Sequence, residues 1–303
     1  MDVAVTGASG LVGRALVAAL EGDGARVRRL VRPGAPSGPA TVSWDPAGGA
    51  IDAAGLEGVE AVVHLAGVGI GDRRWTDAHK RAVLDSRVRG TGLLARTLAG
   101  LAQPPKVLVS ASAIGIYGDR GDEVLTEAGT TGEGFLADVC RAWEAATAPA
   151  EAAGIRVAHV RSGIVLSPQG GALRKQLPLF RIGLGGRFGR GRQWQSWISL
   201  DDEVGAIRHL LDHPVAGPVN LTAPHPVRNA EFATTLGRVL RRPAVVPVPP
   251  FGPALLLGRE LAHELLFTSQ RVVPEVLAGS GYRFRHQELE PALRHLLGRP
   301  AVA

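Results

Sequence analysis

Cysteine is almost missing from this sequence, which has only Cys140 among its 303 residues. A single cysteine cannot form an internal disulfide, and it gives no indication of a cysteine-rich metal site. We therefore predict no bound metal. A chain without disulfides suits a reducing compartment, and we expect the protein in the cytoplasm.

Long apolar runs are missing as well. No segment approaches the roughly 20 uninterrupted apolar residues that span a bilayer, and the stretch 251–267 is interrupted by Arg259, Glu260 and Glu264. The first apolar run begins directly after Met1 and is broken by glycines, which is unlike a signal peptide. We expect neither a leader segment nor a membrane partner.

Lysine is scarce, so arginine supplies almost all of the positive charge behind a net charge of +6. Acidic residues are interspersed among the arginines, and no long cationic block is present. Nucleic-acid-binding domains typically concentrate their positive charge on one face or in one tract. The pattern predicts no nucleic-acid partner.

The first half of the sequence does contain a regular alternation of apolar and amphipathic segments. Strands are predicted at 2–6, 25–32, 59–67, 106–113 and 155–166, and helices at 11–20, 78–101 and 135–154. Near-continuous apolar strands that alternate with helices are typical of a parallel sheet covered on both faces. We predict an α/β fold with a doubly wound parallel sheet.

This alternation weakens after about residue 167. Helices are predicted at 201–213 and 229–240, and a proline-rich stretch at 241–253 precedes further helical segments. We predict a nucleotide-binding domain at 1–220 and a small, mainly helical C-terminal domain at 221–303 on the substrate side.

Three glycines interrupt the first strand–helix junction. Gly7 permits a tight turn, Gly10 lets the backbone approach a phosphate, and Gly13 lets the helix pack closely on the strand. Backbone N–H groups at a helix N-terminus have no intrahelical partner and bind anions such as a pyrophosphate. The motif predicts dinucleotide binding, against the simpler alternative of a turn followed by a packing glycine.

The end of the second strand favours one cofactor. Arg32 follows Gly13 by 19 positions, where an acidic residue would bind an unmodified ribose. A guanidinium instead binds a 2′-phosphate through charge-assisted hydrogen bonds. We predict NADP(H) in preference to NAD(H); the alternative is an arginine that faces solvent.

Several motifs together carry a resemblance to a known family. The motifs are "TGASGLVG" (6–13), "HLAG" (64–67), "SASAIGIYG" (110–118), "SWISLDDEV" (196–204), "RRWTDAHK" (73–80), "GRQWQSWI" (191–198) and "SQRVVPEVL" (269–277). With these motifs, the sequence resembles an extended short-chain dehydrogenase/reductase of the NAD-dependent epimerase/dehydratase group, and in particular an atypical branch called epimerase family proteins.

This resemblance implies a Rossmann-type domain that binds NADP(H). The residues expected to contact the cofactor are Thr6, Gly7, Ser9, Gly10, Leu11, Val12, Gly13, Arg32, Leu65, Ala66, Gly67 and Ser110. The resemblance also implies a homodimer formed through the helices at 78–101 and 135–154.

The family's Tyr-x-x-x-Lys pair, which performs acid/base chemistry, does not occur anywhere in the sequence. The positions that would carry it hold Phe135 or Leu136, and Val139 or Cys140. The resemblance retains Ser112 as the serine that assists this pair, and Tyr117 is the candidate to replace the tyrosine. Other candidates are Lys80, interpreted as solvated, and His64, interpreted as packed in the core.

Two functions remain open at this point. One is an NADP(H)-dependent oxidoreductase or epimerase that acts on an unidentified small molecule, anionic or extended, through a non-standard acid/base. The other is a non-catalytic protein that binds NADP(H) as a sensor or regulator, which the missing Tyr-x-x-x-Lys favours.

Overall fold

The computed structural model describes residues 1–36 and 38–300, in which strands and helices alternate. The strands are β1 (Asp2–Thr6), β2 (Arg26–Val31), β3 (Thr41–Asp45), β4 (Ala50–Ile51), β5 (Ala61–His64), β6 (Val107–Ala113), β7 (Val124–Leu125), β8 (Arg156–Ser162), β9 (Ile164–Leu166), β10 (Trp194–Gln195), β11 (Trp197–Ser199), β12 (Gly217–Leu221), β13 (Val227–Arg228) and β14 (Arg271–Val272).

The α-helices of the same range are α1 (Leu11–Gly22), α2 (Asp77–Ala99), α3 (Phe135–Ala145), α4 (Ala148–Ala152), α5 (Gly171–Arg181), α6 (Leu200–Asp212), α7 (Asn229–Leu240), α8 (Phe251–Leu257), α9 (Arg259–Ala262), α10 (Glu275–Gly279) and α11 (Leu289–Leu296). Short 3₁₀ turns lie at Ala54–Leu56 and Ile114–Tyr117. A π-helical turn follows α9 at His263–Phe267. None of the described helices is both long and apolar enough to cross a bilayer.

Eight strands form the main sheet, in the order β12-β8-β6-β5-β1-β2-β3-β4. Neighbouring strands are parallel, except for the antiparallel edge pair β3 and β4. Strands β2, β3 and β4 follow one another on one side of β1. Strands β5, β6, β8 and β12 follow one another on its other side. The order therefore reverses between β1 and β5, which is where such sheets open a ligand crevice at their carboxyl ends.

Both faces of the sheet are buried, which explains the continuous apolar strands. Val3 and Val5 pack on one side with Leu16 of α1 and Ile207 of α6. Ala4 points to the opposite side, into a second cluster that also contains residues of α2, because side chains alternate along a strand. The predicted Rossmann-type α/β fold is confirmed.

Two local predictions are wrong, and strands β3 and β4 were not predicted. The predicted helix 135–154 is two helices, because Pro149 in the first turn of α4 starts a new helix after Thr147. The predicted strand 155–166 breaks at Gly163, where an added Cβ would lie 2.5 Å from the carbonyl oxygen of Ser196. After this glycine, β9 leaves the main sheet and pairs with β11.

The C-terminal part is mainly helical and shares a core with the segments that follow the main sheet. In that core, Leu166 and Trp197 pack with Phe232 of α7 and Leu293 of α11. Strand β12 ends at Leu221, so the last strand of the sheet extends one residue past the predicted boundary at 220.

Candidate cofactor and substrate site

The turn between β1 and α1 has the close contacts that its glycines predict. Gly7 has a φ of +67°, and a Cβ there would lie 2.8 Å from the carbonyl carbon of Leu65. A Cβ on Gly13 would lie 2.2 Å from the carbonyl oxygen of Gly7. Only that same oxygen, at 3.2 Å, lies near a Cβ on Gly10, so the outer side of the turn is open. A larger residue at Gly7 would therefore clash with the segment after β5, and a larger residue at Gly13 would push α1 away from the turn.

The N-terminus of α1 is free to bind an anion. Its N-cap is Gly10, which offers no side-chain hydrogen bond, and its first turn contains no acidic residue. Ser9 and Gly10 are exposed, whereas Leu11 and Val12 are half-buried. The unpaired amides and the positive end of the helix dipole face the crevice between β1 and β5. These features fit the pyrophosphate of a dinucleotide.

Thr6, the last residue of β1, stabilises this turn and is fully buried. Its hydroxyl oxygen accepts hydrogen bonds from the backbone N–H groups of Leu65 (3.0 Å) and Ala66 (3.2 Å). It also lies 2.7 Å from Nδ1 of His64. Thr6 therefore holds the carboxyl ends of β1 and β5 together, which places Leu65 to Gly67 beside the glycine turn.

His64 is packed in the core, as its sequence position indicated. Its Nε2 lies 2.9 Å from Oγ1 of Thr91. Burial, with a smaller contribution from Arg87, lowers the pKa of His64 to about 4. The ring is neutral at physiological pH and has no access to a ligand.

Arg32 follows β2 and is exposed. The neighbouring Arg28 binds Asp2 at 2.6 Å, and Arg29 binds Glu21 at 2.5 Å. Within residues 1–36 and 38–300, Arg32 has no carboxylate partner. Of Arg28, Arg29 and Arg32, only Arg32 could therefore bind a phosphate without displacing an acidic side chain.

Ser112 and Tyr117 are both held inside the protein. The Ser112 hydroxyl donates to Oε1 of Glu144 at 2.6 Å, and the same carboxylate binds Arg161 at 2.9 Å. Tyr117 is fully buried; its hydroxyl donates to Asn220 at 2.8 Å and accepts from Arg161 at 3.0 Å. Burial raises the pKa of Tyr117. These positions do not favour the catalytic roles predicted for the two hydroxyls.

Ser110, predicted to lie near the nicotinamide, is fully buried in β6. No described group lies within hydrogen-bond distance of its hydroxyl.

A cavity of about 180 Å³ lies at the carboxyl ends of β6 and β8. Helix α3, strand β10 and the π-helical turn complete its walls. The lining is mainly apolar, and its polar residues are Arg87, Ser162, Gln195, Ser196, Glu264, Thr268 and Gln270. A cavity with a few convergent polar groups is the usual form of a small-molecule site.

Helix α3 turns the positions of the missing Tyr-x-x-x-Lys pair toward this cavity. Leu136, Val139 and Cys140 line it. Burial raises the pKa of the Cys140 thiol to about 11, so the thiol stays neutral and unreactive. Phe135 instead packs edge-to-face against Trp75, with ring centroids 4.9 Å apart.

Lys80 lies close to this pair of rings. Its Nζ is 4.6 Å from the centroid of Phe135 and 2.5 Å from Oε1 of Glu260. It does not line the cavity.

Arg87 is a buried cation in the cavity wall. Its Nη1 donates to the carbonyl oxygens of Val68 (2.9 Å) and Val83 (3.2 Å), and its guanidinium stacks on Trp143 at 4.7 Å. Its Nε has no hydrogen-bond partner, and no carboxylate of the described chain pairs with it. The sequence gives no sign that Arg87 belongs to the site. Its burial could not be foreseen.

Glu264 enters the cavity from the C-terminal part of the chain. It lies on the π-helical turn, and a Cβ on Gly134 would approach its Oε1 to 2.9 Å. Burial raises the pKa of its carboxyl group. Sequence analysis missed this residue, because it reads as one more polar position in a helix.

The fold and this crevice define a dinucleotide-binding class of protein, and the sequence matches a family of that class. The profile described as "NAD dependent epimerase/dehydratase family" matches residues 3–222. A second profile, "Domain of unknown function (DUF1731)", matches residues 248–296. The chain belongs to the NAD dependent epimerase/dehydratase family.

Within this family, the chain is similar to proteins named epimerase family protein. One from Mycobacterium bovis is 45% identical over 301 residues, which cover 98% of each chain. The crystal structure of human epimerase family protein SDR39U1 with NADPH is 34% identical, with a TM-score of 0.89 over 98% of this chain and 99% of that chain.

A nucleoside-diphosphate sugar epimerase from Corynebacterium glutamicum is 40% identical, with a TM-score of 0.79; the match covers 98% of this chain and 58% of that chain. The predicted resemblance to the atypical branch is confirmed by these comparisons.

Proposed function

We propose that the protein binds NADP(H) and acts as an oxidoreductase or epimerase on a small anionic molecule in the cavity. Two observations carry this proposal: the N-terminus of α1 is uncapped, and the exposed Arg32 has no carboxylate partner among the described residues. The turn from Thr6 to Gly13 would hold the pyrophosphate, and Arg32 the 2′-phosphate. When bound, the cofactor supplies or accepts a hydride. The human relative whose structure contains NADPH supports this choice.

Arg87 supports an anionic substrate. A buried guanidinium without a carboxylate partner is costly unless a ligand completes its hydrogen bonds. Its Nε is an unpaired donor on a residue that lines the cavity, as is Nε1 of Trp143. A carboxylate or phosphate group of the substrate would satisfy it.

Glu264 is the group best placed to exchange a proton with the substrate. Among the described residues that line the cavity, Glu264 is the only one with a carboxyl group. Burial raises its pKa, which is the direction that favours a proton donor. Ser112 and Tyr117 are not assigned this role, because their hydroxyls are bonded within the protein.

Calorimetry with NADPH and NADH tests the cofactor proposal. We expect Arg32→Ala to weaken NADPH binding by about 10- to 100-fold, because a hydrogen bond to a charged group contributes about 1.5–3 kcal/mol. NADH binding should not change. Arg29→Ala is the matched control, since Arg29 is already paired with Glu21.

Two results would contradict this proposal. One is the absence of heat on titration with NADPH. The other is an equal affinity of the wild-type protein for NADPH and NADH, which would remove the role assigned to Arg32.

A second candidate function is a sensor that binds NADP(H) without turnover. The internal hydrogen bonds of Ser112 and Tyr117 favour it, since both hydroxyls serve the protein and not a substrate. A panel of anionic carbonyl compounds and sugar nucleotides separates the two candidates. Steady NADPH consumption with any member supports the enzyme, and binding without consumption supports the sensor.

A further inference from the structure

Three side chains with metal-binding atoms converge away from the cavity, where α6 meets the end of the chain. Asp201, His286 and His295 each offer one ligand atom, and these atoms all lie within 4.8 Å of one another. Nε2 of His295 is 2.9 Å from Oδ2 of Asp201. The rings of His286 and His295 have their centroids 4.7 Å apart.

The buried carboxylate of Asp202 fixes the position of His286. It accepts hydrogen bonds from the backbone N–H groups of Arg285 (2.7 Å) and His286 (3.0 Å), and from the hydroxyl of Ser199 (2.8 Å). The Tyr282 hydroxyl donates to Oδ1 of the same carboxylate at 3.1 Å. The segment that carries His286 is therefore held rigidly against the start of α6.

The same contacts define which nitrogen of His286 can bind a metal. Its Nδ1 lies 3.2 Å from Oγ of Ser199 and 3.4 Å from Oδ2 of Asp202. A proton on Nδ1 directed at these oxygens leaves the lone pair on Nε2 free. A carboxylate that orients a histidine in this way is the usual outer support of a zinc-ligating imidazole.

We propose that Asp201, His286 and His295 form a binding site for Zn²⁺, with water completing the coordination. Two imidazoles and one carboxylate are a ligand set that Zn²⁺ takes in proteins. Arg285 is the competing cation; its Nη1 lies 3.8 Å from Asp201, and its exposed side chain is free to move aside. The bound ion would join α6 of the nucleotide-binding domain to α11.

Calorimetric titration of ZnCl₂ into the full-length, metal-stripped and tag-free protein tests this site. We expect one ion per chain, and an affinity at least about tenfold lower in His295→Gln and in Asp201→Asn. Both residues are partly exposed, so these variants should fold. The matched control is His225→Gln, because His225 forms a similar exposed pair with Glu288 at 2.6 Å but has no third ligand.

Thermal unfolding gives a second readout. Zn²⁺ at a hundredfold excess over its Kd should raise the Tm of the wild type and of His225→Gln by about 3 °C or more, because it binds the folded chain. It should not raise the Tm of His295→Gln. Absence of stoichiometric binding, or binding and stabilisation that persist in both ligand variants, would overturn the proposal. NADPH binding is measured separately, so either proposal can fail alone.

Discussion

Single buried polar residues show how the position of a side chain decides its role. The family resemblance predicts a catalytic role for Ser112, yet its hydroxyl donates a hydrogen bond to Glu144. Arg161 then joins that carboxylate to the Tyr117 hydroxyl. In a low-dielectric interior, such a fully bonded network stabilises one arrangement of its members. These hydrogen bonds therefore connect β6, α3 and β8.

Glu203 allows a pH-dependent prediction. It is fully buried, its Oε1 lies 2.6 Å from Oγ of Ser162, and burial raises its pKa from 4.5 to about 7. Between these two values, the folded protein keeps a proton that the unfolded chain has lost. The free energy of unfolding of the protein therefore falls as the pH rises from about 4.5 through about 7.

We expect Glu203→Gln to remove this loss. Relative to wild type, the variant should gain up to about 3 kcal/mol in the free energy of unfolding between pH 5 and pH 8. Urea unfolding at several pH values measures the difference. Asp212→Asn, an exposed change on the same helix, should keep the wild-type slope. An unchanged slope in Glu203→Gln would contradict the assigned pKa.

At the scale of elements, the π-helical turn at His263–Phe267 brings Glu264 into the cavity wall. A π turn inserts an extra residue into the helical repeat and redirects the side chains on it, which is why such turns occur frequently at functional sites. Helix α3 contributes Leu136, Val139, Cys140 and Trp143 to the same wall, and none of these is acidic. The acidic group of the cavity thus comes from the C-terminal part of the chain and not from α3, where the family resemblance places the acid/base pair.

Glu264→Gln tests this assignment. The amide keeps the size of the side chain but cannot donate or accept the proton, so we expect kcat to fall about 10²- to 10⁴-fold on any panel compound that the wild type consumes. The Kd for NADPH should stay within about twofold, because Glu264 lies outside the nucleotide turn. Glu260→Gln, which changes the partner of Lys80 one turn away, should retain activity. Full activity of Glu264→Gln would exclude Glu264 as the acid/base.

At the scale of the whole molecule, the C-terminal helices share their core with the segments after the main sheet. Leu293 of α11 and Phe232 of α7 pack with Leu166 and Trp197. Strand β14 also pairs with β7 of the nucleotide-binding domain. Because these contacts connect both parts of the chain, we expect them to unfold together.

Leu293→Ala measures this coupling. Leu293 is fully buried, and removing a buried leucine side chain destabilises a protein by about 2–5 kcal/mol. Calorimetry should show one transition moved to lower temperature. Leu255→Ala, at a leucine that is 74% exposed, should change stability by less than about 0.5 kcal/mol. A separate low-temperature transition in Leu293→Ala would show that the C-terminal part unfolds independently.

Features that depend on neighbours in sequence could be predicted well. The alternation of strands and helices fixed the fold class, and the spacing of Gly7, Gly10 and Gly13 identified the tight turn because the chain meets itself there within a few residues. Strands β3 and β4, at one end of the sheet, were not predicted, because their residues alternate between buried and exposed over very short lengths.

The sequence alone determined the sheet, the glycine turn and the missing Tyr-x-x-x-Lys, because each is a pattern of adjacent residues. Only the tertiary structure decided what the candidate side chains do. The partner of Tyr117 lies 103 residues away and that of Ser112 lies 32 residues away. Glu264 reaches the cavity, and Asp201 reaches His286 and His295, only after distant segments have packed. Hydrogen-bond partners and burial are set by this long-range packing, which no local pattern records.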